Sequence, residues 1–354
     1  KLIMAYTTIN KSSDYFNTKL YTGNATARSI TGVGFQPDFT WIKNRSYTHS
    51  HVLSDAVRGS NKGLNSDASS AEVTDSSNGY VTGFVSDGFS ISNSDYGWVN
   101  NSSSNYASWN WKAGTSFTND ASATGIGTLD SSGSVNATAG FSIISFTGTE
   151  TSSQSVAHGL GAVPELIISK SRDVADNWMV YHGSFSAQDY ISLNTTAAKA
   201  SASSVWTSLP TSTVINIGDN AGVNDNGAMI MYAFRSVQGY SKFGSYTGNG
   251  STDGPFIYTG FKPAFIILKN TGSTDDWVMF DNKRNGYNTD GNEKLYPNNQ
   301  NAEADISEID FLSNGFKLRA AGGENNYPSG NTFIYMAFAE APLVGSNNVP
   351  GTAR

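Results

Sequence analysis

Histidine and carboxylate side chains, which supply most metal sites and acid–base catalysts, are scarce in this sequence. The chain of 354 residues contains four histidines and no cysteine. His49 and His51 are two positions apart, so on a strand both rings would lie on one face and could chelate a metal ion. Trp178 and Trp277 occupy the place of His51 in two similar segments, and no acid recurs at ligand spacing. The pattern therefore favours packing over metal binding.

Two other patterns could carry chemistry that depends on carboxylates. Residues 218–227 form an Asp- and Asn-rich segment that could bind calcium, but its two carboxylates lack EF-hand spacing, which favours a polar hairpin loop. Glycoside hydrolysis needs two carboxylates across a cleft, and pairs such as Asp275 and Asp276 or Asp305 and Glu308 do not recur between similar segments. No serine lies in a Gly-x-Ser-x-Gly context. We therefore predict a protein without catalytic residues, a metal or a cofactor.

Aromatic residues interleaved with polar ones could instead form a sugar-binding surface. Tyr96 and Trp98 are the candidates for such ligand-facing aromatics, because an aromatic ring can pack against a sugar and nothing else in the sequence explains these two. Trp109 and Trp111 are better explained by core packing, since an aromatic or apolar residue recurs at their positions further along the chain.

Composition narrows the classes of function. Charged residues make up 14% of the chain and the net charge is −7, so no basic surface for nucleic acid is expected. Aromatic residues make up 12%, which is too many for a disordered chain. The longest apolar runs fall far short of the about 20 residues that span a bilayer, and the first residues lack the apolar region of a signal peptide. We expect a folded protein with neither nucleic acid nor a membrane as a partner.

A pattern of proline, apolar residues and lysine occurs three times, and an aromatic residue follows each proline by 74, 70 and 75 residues. The residues that mark the three copies are Pro37, Lys43 and Trp111, then Pro164, Lys170 and Phe234, then Pro263, Lys269 and Phe338. We call these nine the signature residues. Their spacing predicts three internal repeats in which they have structural roles.

Each repeat is predicted to consist of strands. Residues 39–43, 166–170 and 265–269 are short β-branched and aromatic runs that follow a proline, and Asn-Gly and Asp-Gly turn signals are frequent. The predicted fold is all-β, with three tandem antiparallel β-sandwich modules of jelly-roll or lectin-like type arranged in series. Short helices are expected only around 187–200 or 299–309.

The repeats divide the chain into predicted domains. Residues 1–112 form an N-terminal segment and the first β-sandwich, 141–238 the second, and 239–354 the third with a C-terminal tail. Residues 113–140 are rich in Gly, Ser and Thr and carry few large apolar groups, which predicts a linker or a long surface loop.

Several motifs resemble a repeat that is common in virion proteins of marine tailed bacteriophages. They are Tyr21-Thr22-Gly23-Asn24, the segment 34–45, Leu53–Gly59, Asp87-Gly88-Phe89 and Trp109–Ala113, together with the closing segment 341–350. The resemblance covers nearly the whole chain and is strongest in the first repeat. It implies a non-enzymatic tail-fibre, head-fibre or capsid decoration protein that is made in the host cytoplasm and displayed on the virion surface. The partners it implies are other virion proteins of the capsid or tail.

Virion sites are symmetric, so the resemblance also implies a homo-oligomer. A trimer is the first expectation, although three modules in one chain could act as a pseudo-trimer. Two alternatives stay open at this point. One is a lectin-like protein that recognises host-surface glycans, and the weaker one is a glycan-degrading enzyme.

Overall fold

Apolar and β-branched runs separated by turn-forming Gly, Asn and Asp make the strand the dominant element of this chain. The computed structural model describes residues 5–75, 80–93, 97–284, 288 and 291–345. Its sheets are antiparallel, and the predicted all-β class is confirmed. The helical segments of the described residues are single turns, and none of them is long or apolar enough to cross a membrane.

The strands fall into three consecutive groups along the chain. After a 3₁₀ turn at Ser12–Asp14, the first group is β1 (Phe16–Thr22), β2 (Arg28–Thr31), β3 (Phe39–Asn44), β4 (Val52–Asp55), β5 (Lys62–Gly63), β6 (Val73–Thr74), β7 (Val81–Val85), β8 (Gly88–Ile91) and β9 (Asn105–Trp111). The second is β10 (Thr115–Asn119), α1 (Ala121–Thr124), β11 (Ser131–Asn136), β12 (Phe141–Thr147), β13 (Gln154–Ala157), β14 (Leu166–Ser171), β15 (Met179–His182), β16 (Asp189–Ser192), β17 (Ala200–Ser201), β18 (Val214–Ile217), α2 (Ala221–Asn224) and β19 (Ala228–Phe234). The third is β20 (Ser241–Thr247), β21 (Phe256–Tyr258), β22 (Phe261–Asn270), β23 (Val278–Asp281), β24 (Asn292–Lys294), β25 (Ala304–Ile306), β26 (Ile309–Leu312), β27 (Gly315–Leu318) and β28 (Thr332–Pro342).

Three sheets share one strand order, and we call them inner sheets 1, 2 and 3. Inner sheet 1 is β1-β9-β3-β4 and inner sheet 3 is β20-β28-β22-β23. Inner sheet 2 contains the matching order β12-β19-β14-β15, extended by β10 and β11 at one edge and by β16 and β17 at the other. Smaller outer sheets accompany them: β2-β8-β7 is outer sheet 1, β13-β18 outer sheet 2 and β21-β27-β26 outer sheet 3.

The inner sheets are buried on both faces. Neighbouring residues of a strand point to opposite sides of its sheet, and here both neighbours are buried. Trp41 of β3 joins a cluster shared by all three inner sheets, whereas its neighbour Ile42 joins the cluster between inner and outer sheet 1. Likewise, Ile267 of β22 joins the shared cluster and Ile266 the cluster of outer sheet 3. This double burial explains why these strands are apolar almost without interruption.

The three signature aromatic residues meet at the centre of the shared cluster. The ring centroids of Trp111 and Phe338 lie 5.6 Å apart, those of Phe234 and Phe338 6.0 Å, and those of Trp111 and Phe234 6.4 Å. Each of the three lies on the second strand of the strand order that the inner sheets share, at β9, β19 and β28. The sheets therefore surround one core, and the expectation of modules in series was wrong.

Residues 113–140 are not the predicted linker. They contain β10, α1 and β11, and β11 pairs with β12 along its whole length. Both strands lie at the edge of inner sheet 2, where small polar residues can face solvent on one side. Gly133 also needs to be small, because a Cβ there would lie 1.8 Å from the carbonyl oxygen of Ile143.

The predicted strands at the signature prolines are confirmed for two copies and extended in the third. Pro37 and Pro164 each precede a strand by two residues, at β3 and β14. Pro263 instead lies inside β22, at a shift in the pairing register with β28, which is one of the few places a strand tolerates proline. The helices expected around 187–200 and 299–309 were also wrong, since β16 and β25 occupy those segments.

Candidate functional site

The three signature lysines are buried near the ends of β3, β14 and β22. Lys43 Nζ donates to the carbonyl of Gln300 at 3.1 Å, and Lys269 Nζ donates to that of Thr196 at 3.0 Å, so both reach a segment from another third of the chain. Burial lowers the pKa of each lysine, Lys170 included, to about 8. Backbone carbonyl oxygens accept hydrogen bonds from all three ammonium groups. Lys43 and Lys269 thereby connect segments from different thirds of the chain.

Two residues after each signature lysine, the chain contacts a segment from another third of the sequence. The contacting pairs are Glu72 with Arg172, Lys199 with Thr271, and Glu303 with Arg45. In each pair the first residue donates its backbone N–H to the carbonyl of the second, over 2.8, 3.0 and 3.1 Å. Ion pairs of 2.8 and 2.7 Å strengthen the first and the third. The contacts run from the first third to the second, the second to the third and the third to the first, and we call them the inter-sheet ring.

Buried acidic groups beside the shared core are also satisfied across inner sheets. Asp55 accepts a hydrogen bond from the Tyr232 hydroxyl at 2.7 Å, and Asp281 accepts one from the Trp109 indole at 3.1 Å. Burial raises the pKa of Tyr232 well above its ordinary value, so its hydroxyl stays protonated and donates. In the described part of the chain, no three His, Asp or Glu side chains are grouped so that they could hold a metal ion.

His182 takes the register position in inner sheet 2 that Asp55 and Asp281 take in the other two. Its Nδ1 accepts a hydrogen bond from the Ser184 backbone N–H at 3.1 Å, and its Nε2 lies 3.3 Å from the Tyr335 carbonyl. These partners fit a neutral ring with the proton on Nε2. Burial lowers the pKa of His182 from its ordinary 6.5 to about 4.

We expect His182 to make the fold less stable in mild acid. Below pH 6.5 the His182 ring binds a proton in the unfolded chain, whereas in the folded chain it stays neutral down to about pH 4. The free energy of unfolding therefore falls by up to ~3 kcal/mol between these pH values. Urea unfolding at pH 7 and pH 4 should show a smaller loss for His182→Asn than for the native chain. Equal losses for the two chains would contradict the assignment; His51 and His158, whose pKa values burial also lowers, leave some pH dependence in both.

The two histidines that the sequence placed together are not on a common strand, because β4 begins only at Val52. His51 is buried, and its Nδ1 accepts a hydrogen bond from the Trp41 indole at 2.8 Å. Burial lowers the pKa of His51 well below its ordinary value, so the ring is neutral. Its geometry is that of a packing residue, the role that the sequence favoured.

The candidate calcium segment forms the capped helical turn α2, where a hairpin loop was predicted. Asn220 caps the turn by accepting a hydrogen bond from the Gly222 N–H at 2.9 Å. The Asn224 amide donates to the carbonyls of Thr151 and Gly218, each over 2.8 Å. The side chains of Asn220 and Asn224 are therefore engaged by the protein itself.

The predicted sugar-stacking aromatics remain a prediction. Tyr96 lies outside the described residues. Trp98 is half-buried and packs against Tyr80, with ring centroids 5.2 Å apart, at the margin of the cluster between inner and outer sheet 1.

An open groove of about 490 Å³ lies where outer sheet 3 meets the chain that joins inner sheets 2 and 3. Its lining includes Tyr6, Glu165, Gln238, Lys242 and Tyr258, and we call it the Tyr258 groove. Its volume falls within the about 300–1,000 Å³ of small-molecule sites, and its lining combines aromatic rings with hydroxyl, amide and charged groups. Such a lining suits recognition of a polar ligand.

Contacts within the groove hold its two tyrosines in place. The Tyr6 hydroxyl donates to the carbonyl of Gly260 at 2.8 Å. Lys242 Nζ donates to the carbonyl of Tyr258 at 2.8 Å and lies 5.5 Å from the centroid of its ring. Gly260 has φ +82°, and a Cβ there would lie 2.8 Å from the Tyr6 hydroxyl, so glycine is needed at this close approach.

Sequence reasoning missed this groove because its residues come from four distant segments. One weak signal was present in β21, where Phe256 and Tyr258 are exposed and the residue between them is buried. Alternation of this kind places two aromatic rings on the solvent face of one strand, yet a three-residue strand is too short to stand out in the sequence.

Comparison with known proteins gives one family. The family described as "Domain of unknown function (DUF7483)" matches residues 11–342. No curated protein and no solved structure matches the chain.

Proposed function

The chain belongs to the DUF7483 family, and we propose that it is a non-enzymatic structural protein of a bacteriophage particle. It is displayed on the exterior as a fibre, spike or capsid decoration. The motif resemblance supports the particle, and the fold supports the structural role. Lys43, Asp55 and His182 are buried and make contacts between different thirds of the chain, which is a structural role.

The inter-sheet ring is the observation that carries this proposal. Three sheets of like strand order contact each other head to tail and close around Trp111, Phe234 and Phe338. This is the arrangement of a cyclic trimer, achieved within one chain. A single copy can therefore occupy a three-fold position on a particle, where three copies of a smaller protein would otherwise be required.

We expect the purified chain to be a monomer of 37.7 kDa, because the surfaces that would join three subunits are already paired within it. Native mass spectrometry measures this directly. A trimeric mass at micromolar concentration would contradict the expected monomer and favour the homotrimer expected from virion symmetry.

Localisation tests the particle role itself. Electron microscopy of the purified bacteriophage should show the density of this chain at regular positions on the exterior, with one copy at each. Absence of the chain from purified particles would overturn the virion proposal, and release of reducing sugar from a polysaccharide would contradict a non-enzymatic role.

A second candidate function is recognition of host-surface glycans, and the Tyr258 groove favours it. The two functions are compatible, since a receptor-binding fibre is both structural and adhesive. A basic or deeply apolar groove would have favoured other ligands, whereas this lining pairs aromatic rings with hydroxyl and amide groups.

A further inference from the structure

We infer that the Tyr258 groove binds a neutral or zwitterionic sugar of a host-surface polysaccharide, with the Tyr258 ring as its stacking platform. This inference rests on the proposed function and deepens it, because it assigns adhesion to one place on the chain.

The Tyr258 ring is an exposed aromatic surface held in a fixed position. It is 48% exposed, although most aromatic side chains of this protein are buried. Its backbone carbonyl accepts from Lys242, and its strand pairs with β27, so the ring stands on a supported element. Aromatic rings present a flat apolar face with a polar tip, which complements the C–H face and the hydroxyl edge of a sugar.

Polar groups of the groove surround the ring with donors and acceptors. The Glu165 carboxylate lines the groove and accepts a hydrogen bond from the Ser236 hydroxyl, which fixes its orientation. Gln238 and Tyr6 also line the groove, and the Tyr6 hydroxyl donates to the carbonyl of Gly260. A sugar hydroxyl both donates and accepts, so carboxylate, amide and phenol groups together can satisfy it.

The charges of the groove indicate which class of sugar fits. Glu165 and Lys242 bring one negative and one positive group to the same lining, and neither sign dominates. Their electrostatic interaction raises the pKa of Lys242, while burial lowers it by more. A polyanion such as a sulfated glycan would meet Glu165, and a polycation would meet Lys242, so a neutral or zwitterionic sugar is favoured over both.

The corresponding position of outer sheet 1 supplies a comparison within the same chain. Tyr258 pairs with Gly315 in outer sheet 3, and Thr31 pairs with Gly88 in outer sheet 1 at the same place in the ladder. Thr31 offers a hydroxyl but no ring. The aromatic platform is therefore a property of the third outer sheet and is not required by the strand pairing.

The test uses saturation-transfer NMR and titration calorimetry on the full chain. The probes are the methyl glycosides of glucose, galactose, N-acetylglucosamine and rhamnose, together with the purified surface polysaccharide of the bacterium that the phage infects. We expect saturation transfer to at least one probe, and Tyr258→Ala should weaken its binding about tenfold or more. Phe256→Ala is the matched control, because Phe256 lies on the same strand and face, is 45% exposed and does not line the groove. That variant should bind within twofold of the native chain.

Outcomes separate this inference from the proposed function. The groove is not the sugar site if the native chain binds no probe, or if Tyr258→Ala and Phe256→Ala lose binding equally. The virion role is independent of that result and stands if microscopy finds the chain on the virion. If Tyr258→Ala alone loses binding while the chain is absent from virions, the groove inference holds and the virion role is wrong. Far-UV circular dichroism must show that each variant is folded, and Glu165→Gln supplies a second variant that changes the groove without removing a ring.

Discussion

Replacement of Trp111 by alanine is expected to lower the free energy of unfolding by about 4 kcal/mol, because the cost of removing a buried indole is the lost burial plus the cavity left behind. Trp111 is 1% exposed. Its ring centroid lies 5.2 Å from that of Phe39, 6.4 Å from Phe234 and 5.6 Å from Phe338, so it contacts all three inner sheets. Urea unfolding followed by far-UV circular dichroism measures the loss.

Two matched variants test the reason for this effect. Trp98→Ala removes the same side chain from a half-buried position and should cost clearly less. Trp111→Phe should cost much less than alanine, because Phe234 and Phe338 show that phenylalanine fits the equivalent positions. The Trp111 indole N–H has no hydrogen-bond partner among the described residues, so Trp111→Phe breaks no hydrogen bond of this group. Equal losses for Trp111→Ala and Trp98→Ala would contradict the shared core.

Unfolding should also be a single transition for the whole chain. Modules in series would lose structure one after another, whereas inner sheets that share one aromatic core lose their common support together. Tryptophan fluorescence and circular dichroism should therefore report the same urea midpoint.

Replacement of Arg58 by methionine is expected to cost about 3–5 kcal/mol, since it leaves a buried carboxylate without its cation. The side chains of Arg58 and Asp55 have no exposed surface. The guanidinium also donates to Glu72 at 3.0 Å, to the carbonyl of Leu53 at 2.8 Å and to the Tyr232 hydroxyl at 3.2 Å. The loss should appear in urea unfolding at pH 7.

A control pair at the same sequence separation lies on the surface. Lys11 and Asp14 are also three residues apart, but their side chains are 70% and 49% exposed. Exposed pairs contribute little to stability, so Lys11→Met should leave the unfolding midpoint within error of the native value. The double variant Asp55→Leu with Arg58→Met should recover part of the loss, because it removes both charges. A single-variant loss as small as that of Lys11→Met would show that the buried pair is dispensable.

The strands at the signature residues could be predicted because their information is local. A proline, an apolar run and a lysine mark β3 and β14 to within one residue at the ends predicted for them. The limits of this reasoning appear at β22, where Pro263 lies inside the strand because a register shift against β28 accommodates it. A register shift depends on the partner strand, which the local sequence does not contain.

The arrangement around one core could not be predicted in the same way. Repeats that contact each other head to tail have the same sequence pattern whether the contacts form within a chain or between chains. Likewise, β10 and β11 resemble a linker because edge strands of Ser and Thr need few apolar residues. Tyr6, Glu165 and Tyr258 of the Tyr258 groove are distant in sequence and come together only in the folded chain, so no sequence motif predicts the groove.

The inter-sheet ring has a consequence for the valency of adhesion. Three identical subunits around an axis would present three identical sites, and their simultaneous engagement would raise the avidity of each particle contact. In this chain the corresponding positions of outer sheets 1 and 3 have diverged, as Thr31 and Tyr258 show, so the described part of outer sheet 1 does not repeat the aromatic platform of the groove. Firm attachment to a cell would then depend on how many copies a virion displays and how closely they are spaced.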